Sequence, residues 1–395
     1  MVDISVKSEL DFRSVAVRGL PRIEAKPEGR LSSSPALAYT LLCLILIAAG
    51  LAAVWQGNKA YGPEMYAQYG LMPAEKAFED GQNYAVFDLN LNVRRMRELR
   101  VASMTQTPDV VLLGASHWQE AHSDLLKGLT LYNSHIHRDF WEDLLGMAQI
   151  WSQNHRLPKR MIISIRDNQF RPIATRPDFL WEPGIANYRM MADTLGVEKE
   201  SYWTSLPYQR IRQLFSISIL FDNLTRWHNA DIRPHATTDR QSETLDTLLP
   251  DGSIVWSKKH MAFFSSERMM REAVALAELR RNDPPQVEAR GVDAFEKLLD
   301  YLKAQGVTVY LAQPPFNPIY YDSLQGSAYF EGLKKVDAMT HDIAARHGLK
   351  MIGGFNPHKV GCTPNMYIDA EHSNPTCLQK IFDEFAQIVK SEGGK

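Results

Sequence analysis

The sequence predicts an α/β protein with a parallel, doubly wound sheet, tethered by one membrane helix. Three observations lead there. Short apolar runs, VVLL at 110–113, MIISI at 161–165 and VTVYLA at 307–312, have the length and composition of strands buried on both faces. Segments with apolar residues at helical spacing lie between them, and strands alternating with helices build a parallel sheet. Residues 36–55, ALAYTLLCLILIAAGLAAVW, carry no charge over about the length that crosses a bilayer.

Taken in order, the elements divide the chain. Lys7, Arg13, Arg18, Arg22, Lys26 and Arg30 precede the apolar run, and Lys59 is nearly alone after it. Positive charge stays on the cytoplasmic side, so residues 1–35 are expected in the cytosol and 56–395 outside it. A cleaved signal peptide is the rival reading, since small residues crowd AAGLAA, but the long hydrophilic lead-in favours an uncleaved anchor. Residues 56–105 read as a membrane-proximal linker of mixed helical pattern, and 106–395 as the main domain. Within it, VVLLG is the first strand, LTLYNS at 129–134 the second, WEDLLGMAQIWSQNH at 141–155 a helix and MIISI a third strand. FEKLLDYLKAQG is an amphipathic helix stopped by Gly306, and a strand broken by prolines, VTVYLAQPP, follows. A helix over 329–347 ends at Gly348, LKMIGGF is the last strand, and a final helix carries Leu378, Ile381, Phe382, Phe385, Ile388 and Val389 on one face. Residues from about 171 to 290 break this rhythm and read as an insertion over one edge of the sheet, with a turn at LLPDGSIVW.

Composition narrows the function. The chain has 395 residues, 45% hydrophobic and 23% charged, so a sizeable core is available. A formal net charge of −2 supplies no electrostatic footprint for nucleic acid. Internal repeats and zinc-type cysteine spacings are absent from the sequence.

The chemistry centres on VVLLGASHWQEAH at 110–122. A serine at the sharp turn from strand to helix projects its hydroxyl at the carboxyl end of the sheet, where open α/β sheets keep their sites. A helix N-terminus beyond Ser116 would offer N–H groups to an oxyanion. The plainer alternative is that Gly114 turns the chain and Ser116 caps the helix. A base is found in YIDAEHSNP at 367–375, a polar loop just before the last helix. There Asp369 can orient the His372 imidazole, and His372 can take the Ser116 proton and return it to a leaving group. The alternative for Asp-x-x-His is an Asx turn with a surface histidine. Cys362 and Cys377 flank this loop, and in an oxidising compartment they would bridge and hold it. Such a bridge stabilises a fold by about 3 kcal/mol; two separate buried thiols are the alternative. Cys43 lies within the apolar span.

Gly-x-Ser at the end of the first strand and Asp-x-x-His before the last helix resemble the first and last blocks of the SGNH (GDSL-type) hydrolases. The closer resemblance is to their membrane-tethered relatives in exopolysaccharide O-acetylation, of alginate and bacterial cellulose, and in teichoic acid D-alanylation. It covers roughly residues 105–390 and includes VTVYLAQPPFNPIYYD and the ending D-x-x-H-x-N-P. The resemblance implies a flavodoxin-like, three-layer fold with helices on both faces of a parallel sheet, and a triad of Ser116, His372 and Asp369. It implies an oxyanion hole from the Ser116 N–H, from the third block, where SIRDNQF offers Asp167 or Asn168 and the Asn168 amide is preferred because it can donate, and, in the second block, from Asn133. Two departures stand out. Ala115 replaces the family's aspartate, and LYNSHIHRD lacks the second-block glycine whose N–H the family uses.

Other residues have competing readings. His117, His122, His135 and His137 cluster in sequence, but spacing and the lack of an acidic ligand argue against a metal site. His117 or Trp118 can touch substrate beside the nucleophile, and Arg166 can bind an anionic acceptor or pair with a carboxylate. Trp181, Tyr188, Trp203, Trp227 and Trp256 can stack on sugar rings or pack in the core. The expectation is a single-pass protein of a bacterial inner membrane with its catalytic domain in the periplasm. It would move an acetyl group through a Ser116 acyl-enzyme to a polysaccharide hydroxyl, without a dissociable cofactor. The resemblance implies a multispanning membrane acyltransferase as donor partner, together with other polysaccharide-acetylation subunits. An esterase with the same triad, or a non-catalytic assembly or carbohydrate-binding subunit, are the alternatives.

Overall fold

The computed structural model describes residues 35–69, 71–86, 93–137, 139–154, 156–172, 184–198, 214–228, 234–264 and 266–393. The expected cytoplasmic segment lies almost wholly outside them. The chain forms two units, Met1–Ala52 and Ala53–Lys395. In the first, the described residues belong to the helix Pro35–Tyr69. Within its stretch Leu37–Ala60 an 18-residue window has mean hydropathy 2.5 and no buried share, so one helix near the N-terminus is long and apolar enough to span a membrane.

In the second unit the described strands, numbered along the chain, are β1 Asn83–Val86, β2 Val110–Leu113, β3 Leu131–Asn133, β4 Arg160–Ser164, β5 His235–Thr237, β6 Asp246–Leu248, β7 Ile254–Val255, β8 Thr308–Gln313 and β9 Lys350–Gly353. Five of them form a parallel sheet in the order β3-β2-β4-β8-β9. The apolar runs are continuous because both faces are covered. Val111 and Leu113 of β2 pack with Trp141, Leu144 and Leu145 of the helix Trp141–Gln153 and with Phe295 and Leu298 of Ala289–Ala304. Val110 and Leu112 pack on the other side, with Leu378, Ile381, Phe382 and Phe385 of the last helix, Pro375–Gly393. Alternate side chains of one strand thus enter two separate cores, as the period of two requires.

The region read as a linker is woven into this unit. Ala74, Phe78, Tyr84, Val93, Met96 and Val101 are core residues, and β1 sits inside a second, antiparallel sheet of order β5-β1-β6-β7. The other three strands come from the insertion. Its hairpin turn does cover a sheet edge, since the Asn133 N–H on β3 donates to the Asp251 carbonyl at 2.7 Å. Its helix Ile185–Leu195 instead buries Ile185, Tyr188, Met191 and Ala192 in the main core.

One local expectation needs correction. No α-helix follows β2; Ser116–Trp118 is a single 3-10 turn, and another follows at Ser123–Leu125. Trp118 drops into the core beside Phe382, with ring centroids 6.3 Å apart. The Asn133 amide donates to the Trp118 carbonyl at 2.6 Å and the Ala121 carbonyl at 3.2 Å, competing for oxygens that a continuing helix would use. The turn carrying Ser116 therefore draws nothing from a long helix dipole.

Candidate active site

Gly114 explains why the first strand ends as it does. A Cβ there would lie 2.7 Å from the Ser164 Cβ and 3.1 Å from Trp118, so the end of β2 approaches β4 too closely for any side chain. Beyond it the Trp118 indole N–H donates to the Ser164 hydroxyl at 2.6 Å, which pins the turn carrying Ser116 to the neighbouring strand. The insertion braces the same turn, because the Ile254 N–H donates to the Gln119 carbonyl at 2.7 Å.

The segment 367–373 closes on itself. Tyr367 and Ser373 form an antiparallel bridge, and the Ile368 N–H donates to the His372 carbonyl at 2.9 Å. Cys362 and Cys377 are joined by a disulfide at the base of this loop. The loop after β8 holds it from the side. The Tyr367 hydroxyl donates to the Pro315 carbonyl at 3.1 Å, and the Asn317 amide donates to the Asp369 carbonyl at 3.1 Å.

These constraints bring together residues 256 positions apart. His372 Nε2 lies 2.9 Å from Ser116 Oγ, and His372 Nδ1 lies 2.7 Å from Asp369 Oδ2. The other carboxylate oxygen accepts the backbone N–H groups of Glu371 at 2.8 Å and His372 at 2.7 Å. A carboxylate beside Nδ1 puts the proton there and leaves Nε2 as the acceptor facing the hydroxyl. Burial disfavours the Asp369 charge, but the facing imidazole and these N–H groups outweigh it and lower its pKa to about 2. Burial likewise disfavours the His372 cation. The Asp369 carboxylate, then Glu371 and Glu120, outweigh that and raise its pKa to about 9. Glu120 is itself pushed up to about 8 by burial, despite a hydrogen bond from the Trp256 backbone.

No protein-family model matches the chain, and comparison with curated proteins gives no match. The site is therefore read from its own geometry.

The remaining residues singled out in the sequence divide. Asn133 is fully buried and spends its amide protons on the Trp118 and Ala121 carbonyls, so its side chain braces the turn instead of facing a substrate. The backbone N–H groups of Asn133, Ser134, His135 and Ile136 are also committed, to Asp251 O, Leu112 O, Asn133 Oδ1 and Gly114 O. The Asn168 amide donates to Asp167 Oδ2 at 2.6 Å. That carboxylate also accepts the Tyr329 hydroxyl and lies 3.7 Å from Arg280. Trp118 is fully buried, which removes it from any substrate surface. Arg166 pairs with buried Asp139 at 3.1 Å and also donates to its carbonyl, the carboxylate-pairing alternative. His117 stays at the site, its ring centroid 5.7 Å from that of His372.

Of the histidines weighed for metal, His122 Nδ1 meets Ser253 Oγ at 2.9 Å and His135 Nδ1 lies 3.2 Å from Arg97. Among the described residues, no three His, Cys, Asp or Glu side chains converge as metal ligands. Tyr188 packs against Trp141 in the core, with centroids 5.7 Å apart. Trp256 lies beside the site, 6.0 Å from the His372 ring and 3.8 Å from that of His260. Trp181, Trp203 and the Trp227 side chain fall outside the described residues.

Sequence reasoning missed Arg97, which is 1% exposed and binds the Gly252 carbonyl at 2.6 Å together with the His135 ring. It locks the insertion hairpin to the segment after β3. The signal was the Asp-Gly turn in LLPDGSIVW, though nothing in the sequence paired it with an arginine 155 positions earlier. A groove of about 440 Å³ adjoins the loop of Asp369 and His372, lined by Phe264, Leu276, Leu279, Asp369 and Glu371 among others. It offers an apolar wall beside carboxylates.

Proposed function

We propose that this protein is an acyl-ester enzyme of the cell envelope, an SGNH-like O-acetyltransferase acting on an exopolysaccharide of cellulose or alginate type. The hydrogen-bonded chain Asp369–His372–Ser116 carries the reading. Ser116 Oγ attacks the carbonyl carbon of an acyl donor, and its proton passes to His372 Nε2. The carbonyl π pair moves onto oxygen, and collapse of this intermediate expels the donor's alkoxide, which takes the proton from His372. In the second half, His372 removes the proton from a sugar hydroxyl, that oxygen bonds to the acyl carbon, and Ser116 leaves reprotonated.

The disulfide and the apolar helix support a single-pass protein with its catalytic unit on the oxidising side of a bacterial inner membrane. Acetyl-CoA is cytosolic, so a multispanning acyltransferase would deliver the acetyl group. The test uses the purified full chain in detergent, a chromogenic acetate ester and cello- or mannuronate oligosaccharides. Ser116-dependent appearance of acetylated oligosaccharide supports the transferase. Release of acetate to water alone makes it an esterase, and ester turnover that survives in Ser116→Ala overturns the mechanism.

A further inference from the structure

We infer that the His117 ring N–H donates the second hydrogen bond to the oxyanion formed at Ser116, in place of the glycine and asparagine donors of the SGNH pattern. The inference rests on the acyl-enzyme reading above. Acyl transfer needs preorganised donors aimed at the carbonyl oxygen as charge develops on it. The Ser116 N–H opens its 3-10 turn and so has no partner inside it. Most of the usual second donors are spent, and Asn168 keeps one amide proton beside the one it gives to Asp167. The four backbone N–H groups of 133–136 are committed, the Asn133 amide braces the turn, and the Asn168 amide bonds to Asp167.

His117 is the opposite case. It is the residue after the nucleophile, 8% exposed, and its ring lies next to that of the base. Both ring nitrogens are buried without a hydrogen-bond partner among the described residues. Such a group destabilises the fold, and one retained beside a nucleophile points to a ligand that completes it. Burial, reinforced by the His372 charge, lowers its pKa to about 3, so the ring stays neutral and keeps one donor nitrogen through turnover. It has no carboxylate to orient it and so does not compete with His372 as base. A neutral imidazole is a known electrophilic donor. In each tetrahedral intermediate it hydrogen-bonds to the oxygen and retains its own proton, while the transferred proton stays on His372.

The test compares wild type, Ser116→Ala, His117→Leu and His117→Gln as full-length chains in detergent, with p-nitrophenyl acetate. Loss of one such donor lowers kcat on the order of 100-fold with KM within about twofold. His117→Leu should show that loss with a Tm equal to or above wild type, because an unpaired buried group has been removed. His117→Gln restores an N–H donor and should recover about tenfold of the rate. Undiminished kcat in His117→Leu, or equal losses in the Leu and Gln variants, overturns the assignment while leaving the acyl-enzyme intact. A wild type whose turnover does not depend on Ser116 sinks both.

Discussion

Asp369 decides what His372 can do. Its carboxylate sets the tautomer and, with Glu371 and Glu120, raises the imidazole pKa from 6.5 to about 9. The base form is the one without the proton, so turnover of an acetate ester should climb from pH 7 towards pH 9, as His372 loses its cation. Asp369→Asn removes the main charge that holds the proton on. The rising limb should move to lower pH, and kcat should fall about 10⁴-fold through the misdirected tautomer. A pH profile of the two proteins reads both effects; a limb that stays in place after the substitution would mean that Asp369 does not control the base. At this scale the sequence pointed to Ser116, Asp369 and His372, and the fold brings their side chains within hydrogen-bonding distance. The sequence was misleading at Asn133 and Trp118, because both have polar groups that can serve a substrate equally well. Only the fold shows that one is spent on backbone carbonyls and the other on Ser164.

Among elements, the buried strands were readable because runs such as VVLL are covered on both faces. The 3-10 turn was not. GASHWQEAH has helix-compatible residues, and the competing Asn133 amide belongs to a strand that comes later in the chain. The antiparallel sheet was missed for a related reason. Its strands have two to four residues, too few for a period to register, and β1 pairs with β6 across a long stretch of chain. That sheet matters because its hairpin pushes Gly252 against the end of β3. A Cβ at Gly252 would lie 2.3 Å from the Asn133 carbonyl oxygen, and its φ of 84° disfavours any side chain. Gly252→Ala should therefore cost about 1–3 kcal/mol of stability in urea unfolding. It should also lower ester turnover, since the hairpin braces the Ser116 turn; a stable variant with normal kcat would show that the hairpin is dispensable to the site.

For the whole molecule, the first unit carries an apolar helix, and the second holds a parallel sheet with Ser116 just past the carboxyl end of β2. The helix was legible from an uncharged run, and the sheet from alternation, because both follow from solvent and period alone. The separation of a linker from the domain was not, since residues 56–105 read as a mixed helical pattern, yet Ala74, Phe78, Tyr84, Val93, Met96 and Val101 prove to be core. Deleting residues 1–60 should move the protein from the membrane pellet to the supernatant after cell lysis, because Leu37–Ala60 is the one described stretch apolar enough to span. Persistence in the membrane fraction would place the attachment elsewhere.

The account stands most directly on the nucleophile. Mass spectrometry of the full-length chain after brief exposure to an activated acetyl ester should find a single acetyl adduct on Ser116, absent in Ser116→Ala. An adduct confined to other residues, or an unmodified Ser116 under conditions where the ester is turned over, would contradict it.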